Sequence, residues 1–283
     1  MLLPAWLLFA ILQGLTSNAF NFFSRYILRG NDDGTAFAWL MQLIRFTFFI
    51  VYAILFDWRL VISFESIATL LVLGITETIG IYFYMKMHTH SELSISTILS
   101  RTRMLWVPLF AFLIIGEILK PIEYLGIAIL FIGVSIVSSP KKMFVDKGAL
   151  YANASSVVIA LNIIFYKISM PYASDPIILA ALGFTSIFIL PFFMKNARKR
   201  IAINIKASLG IKLLAIGFNI ISMFFFALAM QTGEASKVNA VYQGMLVFAV
   251  VAGIVFLNER KDIPKKIIGT VITVIGVSLL SLY

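Results

Sequence analysis

Two stretches of this chain, Glu92–Ser139 and Glu234–Leu282, are copies of one design, and that duplication restricts the fold more than any other feature. At one constant offset Ser94, Thr97, Arg101 and Glu117 fall on Ser236, Asn239, Gln243 and Glu259. After one inserted residue, Pro121, Gly126 and Gly133 fall on Pro264, Gly269 and Gly276. Each copy reads as a polar-faced helix, a glutamate-bearing turn, a proline and a glycine-spaced apolar helix. Self-similarity over half a chain signals a fold assembled from repeated units.

The units are apolar throughout. Long apolar runs succeed one another with short polar breaks, and 61% of the residues are hydrophobic, against roughly 45–50% in soluble chains. The pattern predicts an all-α membrane protein with ten spans, each near the ~20 residues a bilayer core requires. They run Pro4–Leu28, Phe37–Phe56, Ser66–Met87, Leu93–Ile115 and Ile122–Val137. After a charged break come Ala149–Ser169, Pro176–Met194, Ser208–Met230, Ala235–Leu257 and Pro264–Leu282. The start, Met1–Leu12, lacks the charged region of a signal peptide and reads as part of the first span. Two five-helix repeats are expected, residues 1–139 and 149–283, joined by a connecting loop over 140–148. An odd number of spans per copy makes the second enter from the opposite side, so the repeats are inverted. Such inverted repeats characterise secondary transporters, whose sites lie near the midplane between the copies.

The residues also carry a resemblance. Arg45–Phe46 in the second span, Pro108 in the fourth and Gly116–Glu117 leading to Gly126 and Gly133 form an ordered set; Asn258–Glu259–Arg260 leading to Gly269 and Gly276 repeats its last part. In this the chain resembles the drug/metabolite transporter superfamily, specifically its EamA-type ten-helix members, over essentially its whole length. The resemblance implies a secondary carrier of small metabolites, often an exporter, multi-pass in the cell membrane with both termini in the cytoplasm. Two departures stand out. The ninth span has no proline matching Pro108, and the seventh no arginine matching Arg45, so the site is expected to be asymmetric.

Charge placement bears on orientation and on partners. The net charge is +10, but the basic residues gather in the breaks, chiefly Lys141–Lys147, Lys195–Lys206 and Arg260–Lys266. That pattern sets topology and does not point to nucleic acid. By the positive-inside rule these connections are cytoplasmic and both termini lie outside, the reverse of what the resemblance implies. Lys195–Lys206 reads as the longest polar connection; contact with anionic lipid heads is the alternative to a plain topology-setting loop.

Polar residues within the spans are the candidate substrate-binding residues, because a charge near the bilayer centre costs about 2.5–3.5 kcal/mol to insert. In the first span Gly14, Asn18, Asn21 and Arg25 share one helical face, either toward water and substrate or toward interhelical hydrogen bonds. Arg25, and Lys167 as its repeat counterpart, could snorkel to the interface. Gln42 and Arg45 share a face of the second span, where Arg45 is expected to line a cavity or form an ion pair. Glu77 stands mid-span in the third, with Tyr84 farther along its face and Asn219 as its counterpart in the eighth span. It could couple a proton or pair with Arg45 or Arg101. The fourth span carries Ser94, Thr97, Arg101 and Pro108 on one face, while Arg103 is expected on another. Ser236, Asn239 and Gln243 repeat the stripe in the ninth span, beside Tyr242, and the two stripes are expected to face each other across a central cavity. Arg101 could grip a carboxylate or phosphate with two hydrogen bonds.

Other features read as structural. The glycine pairs of the fifth and tenth spans let helices approach closely, so that each repeat uses its pair for packing or the protein uses it to form a homodimer. Glu117 and Glu259 suit a loop ion pair or a helix cap. His88, His90 and Glu92 lack the second cluster that a metal site needs. With no cysteine, two histidines and no phosphate-cradling glycine loop, no catalytic constellation or cofactor is expected. The expected function is secondary active transport of a small polar metabolite by alternating access, an amino acid or related carboxylate in first place, driven by its own gradient or by proton or ion coupling. The alternatives are an exporter of amphipathic cationic drugs, an intramembrane enzyme on lipid-linked substrates and a non-transporting scaffold.

Overall fold

The computed structural model describes residues 4–29, 33–90, 100–138, 147–248 and 263–282. They form α1 (Ala5–Arg29), α2 (Gly34–Phe56), α3 (Phe64–His90), α4 (Arg103–Phe110), α5 (Pro121–Ser138) and α6 (Lys147–Ser169). Then follow α7 (Asp175–Ile189), α8 (Ala197–Lys206), α9 (Leu209–Thr232), α10 (Ala235–Gly244) and α11 (Ile263–Leu282). Among the described residues the one β-type pairing is an isolated bridge, Leu60 to Ala173. Among the described residues six stretches are long and apolar enough to cross a bilayer: Gly34–Phe56, Phe64–Met87, Lys147–Ser169, Asp175–Phe193, Leu209–Thr232 and Ile263–Ser281. Such segments must be helical, since lipid offers backbone N–H and C=O groups no partners. α1 is as long but falls outside this set; its polar stripe lowers its hydropathy. Large apolar side chains such as Phe64 and Phe192 point outward, 83% and 88% exposed, a surface suited to lipid.

Local chemistry sets the helix boundaries. The Asp33 carboxylate accepts from the amides of Thr35 and Ala36 at 3.2 Å each and caps α2. α4 contains Pro108, which removes one backbone donor, and continues as a π-helical turn over Ala111–Ile115. Gly116 ends it with φ 67°, the left-handed conformation that glycine adopts at no steric cost. Glu123 reaches back to the Lys120 amide at 2.7 Å and opens α5.

The helices pair across the two halves of the chain. α1 packs on α9 and α3 on α6; α2 packs on α7 and α5 on α11; α1 meets α10 and α4 meets α6. Exchanging α1 with α6, α2 with α7, α3 with α9, α4 with α10 and α5 with α11 returns the same set of contacts. Two of the equivalent pairs, α5 with α11 and α2 with α7, pack antiparallel. A Cβ added to Gly133 would lie 2.6 Å from the Thr273 amide nitrogen and 2.9 Å from the Gly269 carbonyl; one added to Gly276 would lie 2.9 Å from the Gly126 carbonyl. Along α2, Trp39 Nε1 donates to Ile187 O at 3.0 Å, Gln42 Nε2 to Ser186 Oγ at 3.3 Å, and the Phe46 ring meets Phe184, so numbering rises on α2 as it falls on α7. The glycine faces of α5 and α11 are thus spent on each other. The expected packing role is what these contacts show, with the glycine pair of each repeat set against that of the other.

The Lys195–Lys206 connection is corrected, since most of it folds as helix α8. Ala, Arg and Lys favour a helix, and its inward side is tied to α2. Arg200 Nη2 donates to Asp33 Oδ1 at 2.8 Å and Asn204 Nδ2 to Asp33 O at 3.3 Å. Burial would raise the Asp33 pKa, but the Arg200 bonds and the Ala36 and Thr35 amides outweigh it and hold the carboxyl below its ordinary value.

Candidate functional site

A cavity of about 140 Å³ lies between the two halves of the bundle, well above the ~10–15 Å³ that one water needs. Its walls come from α1, α2, α3, α6, α9, α10 and the segment entering α4. Along each helix the lining residues lie in the middle or toward the end where α1 stops, α2 begins and α8 lies. This is the basic end. At the opposite, terminal end, α1 begins and α11 finishes.

The floor is an ion pair. Arg45 Nη2 donates to Glu77 Oε1 at 2.7 Å, with side chains 2% and 14% exposed. Gln42 Nε2 donates to the same oxygen at 3.0 Å, and Thr78 and Ser186 hydroxyls meet at 2.9 Å behind it. Arg45 Nε is buried without a hydrogen-bond partner. Of the two partners open to Glu77 in the sequence, the structure selects Arg45.

One wall is built from counterpart positions of the two copies. Arg101 Nη1 donates to the Gln243 carbonyl at 3.2 Å and to Gln243 Oε1. These residues are equivalent in the duplication, so their contact lies near the axis relating the copies. Beside them the Arg103 guanidinium sits 5.6 Å from the centroid of the Tyr242 ring, a cation–π arrangement. The Tyr242 hydroxyl meets Ser17 Oγ at 3.1 Å. Across the cavity Tyr84 donates to Asn21 Oδ1 at 2.6 Å, and Asn219 joins the lining with its Oδ1 buried and unpartnered.

The expected site residues divide accordingly. Asn21, Arg45, Glu77 and Tyr84 line the cavity, as do Arg101, Asn219, Tyr242 and Gln243. Two do not: Asn18 donates to Met245 O at 2.9 Å and Asn239 to Arg103 O at 3.4 Å, so both act between helices. Gly14 likewise faces α10, where an added Cβ would lie 2.8 Å from Tyr242 O. Thr97, Ser94, Glu92, Glu259 and the side chains of Arg25, His88 and His90 lie outside what the structure describes. Among the described residues no group of three or more His, Asp or Glu gathers that could hold a metal ion.

Arg103 was expected on another face but lines the cavity. Thr102, between Arg101 and Arg103, keeps right-handed helical dihedrals, so the cavity is lined over a wider arc of this helix than the face of Arg101 alone. Ser155 and Ser156 also line it and were not foreseen. The offset that pairs Arg25 with Lys167 lays them on Gln13 and Gly14, a signal present in the sequence.

The terminal end is closed by bonds between the copies. Glu117 accepts from the amides of Ala235 and Ser236 at 2.9 and 3.0 Å and from the Ser236 hydroxyl, capping α10 from the other repeat. Lys237 bridges Glu123 and Glu234. Ser174 N donates to Arg59 O at 2.8 Å and Val61 N to Tyr172 O at 2.7 Å. Lys167 does not snorkel: its Nζ donates to Met230 O at 2.6 Å and Gly233 O at 2.9 Å, where α9 ends, a favourable place for a cation.

Comparison with known proteins agrees with this architecture. The model of the EamA-like transporter family matches residues 4–139 and again 146–282. A solved crystal structure of a protein at 15% sequence identity superposes with a TM-score of 0.72, covering 96% of this chain and 98% of that one; at that identity it speaks for the fold alone. No curated protein matches the chain.

Proposed function

The chain belongs to the EamA-like transporter family, an integral multi-pass membrane family of the drug/metabolite superfamily, and on that premise we propose that it is a secondary transporter of a small polar metabolite. An amino acid or a related carboxylate is the favoured substrate, moved by alternating access. Ten spans form two inverted five-helix repeats, 1–139 and 149–283, around the loop 140–148. Antiparallel packing of equivalent helices supports the inversion, because a two-fold in the membrane plane reverses each helix against its counterpart. The substrate site comprises Asn21, Arg45, Glu77, Tyr84, Thr97, Arg101, Asn219, Tyr242 and Gln243, with Asn18 and Asn239 supporting it.

The observation that carries this reading is the Arg101–Gln243 contact at the cavity wall. A polar group from each repeat meets its own counterpart beside a void, where a rocking motion would part them. The cavity favours the basic end while the terminal end is latched, which matches one state of an alternating cycle. Pro108 and the π-helical turn after it offer a flexing point in the fourth span. A cationic drug is disfavoured by the three arginines on the walls.

The test is uptake by proteoliposomes of the full chain, offered amino acids, organic acids, sugars and cationic dyes. Arg101→Ala and Glu77→Gln should each lower transport of the accepted solute tenfold or more. Transport unchanged by both removes this site assignment. Because the chain has no cysteine, single cysteines on either end report which side is open with and without solute.

A further inference from the structure

We propose that α8 is a docking ridge for the headgroups of anionic phospholipids, a role separate from the cavity and from whatever solute the cavity carries.

The first ground is where the helix is held. α8 joins two stretches that are long and apolar enough to cross a bilayer, Asp175–Phe193 and Leu209–Thr232. Residues 194–196 link it to the first and residues 207–208 to the second, about 10 Å and 7 Å of chain at full extension. Neither end of α8 can leave the bilayer boundary. Phe192, at the end of the first stretch, is 88% exposed, as a side chain in lipid would be. The inner side of α8 is braced on the bundle. Arg200 Nη2 donates to Asp33 Oδ1 at 2.8 Å, Asn204 Nδ2 to Asp33 O at 3.3 Å, and Lys212 Nζ to Asn204 O at 2.7 Å.

The second ground is what the outer side presents. Residues 195–209 hold five basic side chains, Lys195, Arg198, Lys199, Arg200 and Lys206, and no acidic one. Arg200 is spent on Asp33. The other four are exposed, and among the described residues their side chains form no hydrogen bond or ion pair. Arg198, Lys199 and Lys206 share one side of the helix with Ile203, opposite Asn204, which is buried. Phosphate oxygens accept from guanidinium and ammonium groups, and anionic lipid draws basic side chains at the membrane surface. Ile203, 58% exposed, can enter the acyl boundary between them. The donors are spread along the helix on an open face, which suits the many headgroups of a lipid surface and not one enclosed anion. A loop that only set topology would need these charges, but not their presentation on one side of a braced helix.

The experiment uses the purified full chain and two readouts. In micelles titrated with lipid, thermal stabilisation should half-saturate at an about tenfold lower concentration of phosphatidylglycerol than of phosphatidylcholine, and raised salt should shrink the difference. The variant Lys195→Gln/Arg198→Gln/Lys199→Gln/Lys206→Gln, whose four sites are exposed and have no partner to lose, should abolish the preference. Arg198→Lys, which keeps the charge, should retain it. The chain has no cysteine, so Ile203→Cys carries a single fluorophore in vesicles of equal parts phosphatidylcholine and phosphatidylglycerol. A nitroxide on the phosphatidylglycerol headgroup should quench it more strongly than the same nitroxide on phosphatidylcholine. Equal half-saturation by the two lipids, a preference that survives the fourfold change, or a fluorophore quenched only from the aqueous phase overturns the proposal. Displacement of phosphatidylglycerol by millimolar inorganic phosphate, at constant ionic strength, would point to a free-anion site and overturns the lipid as occupant. None of these outcomes touches the transporter reading, since the variants leave the cavity residues in place and uptake is measured separately.

Discussion

Glu77→Gln strands a guanidinium that has almost no access to water. Arg45 is 2% exposed and its Nη2 lies 2.7 Å from Glu77 Oε1. Two unit charges about 4 Å apart at an effective dielectric near 20 attract by about 4 kcal/mol, and removing one partner of a buried pair costs about 3–5 kcal/mol. Glutamine keeps one acceptor oxygen for Arg45 and Gln42, which places the loss near the lower bound, about 3 kcal/mol. At roughly 2–4 °C per kcal/mol for a protein of this size, Tm should fall by roughly 6–12 °C. Arg45→Gln should cost less, because the carboxylate it leaves behind is 14% exposed and faces the cavity. The double variant Arg45→Gln/Glu77→Gln removes both charges, and its loss should undercut the sum of the singles by about 0.5–3 kcal/mol. Thermal unfolding of the four proteins in one detergent at one pH reads all of this. Strict additivity, or Glu77→Gln melting with the parent protein, refutes the claim that the pair is an energetic unit.

The other predictions are smaller or more local. Gly133→Ala places a methyl group 2.6 Å from the Thr273 amide nitrogen, so α5 and α11 must separate; a loss of about 1–3 kcal/mol is expected in the same melting assay, whereas Gly210→Ala, with open space around its added carbon, should lose under ~1 kcal/mol. Asp33 carries a pKa held below its ordinary value, so its pairing with Arg200 stabilises above that ordinary value and is lost as pH falls through the depressed one. The Asp33→Asn deficit, about 0.2–1 kcal/mol for a partly exposed pair, should therefore be present in melts at neutral pH and shrink in strong acid. Pro108→Ala should slow transport and bias labelling of single cysteines toward one end; unchanged rate and unchanged labelling at both ends would remove the flexing role. Glu117→Ala takes three hydrogen bonds from the start of α10, and a cysteine placed at the terminal end should then label faster; equal labelling would show that the latch does not hold that end.

Much of this protein was legible in its residue order, and the reason is the solvent. Lipid cannot satisfy backbone groups, so each long apolar run was committed to a helix before any neighbour was known. The duplicated glycines and polar stripes foretold that two similar bundles would be built, and which faces would turn inward. Periodicity names a face but not what stands opposite it. Only the packed structure decided that Glu77 pairs with Arg45, that Gly133 and Gly276 press against the opposite repeat, and that Lys167 closes the end of α9. It also brought Arg103 to the cavity beside Arg101, and set Asn18 and Asn239 on backbone carbonyls instead. Those choices rest on distances between helices far apart in the chain, set by how closely small residues let backbones approach, and local sequence carries no record of them.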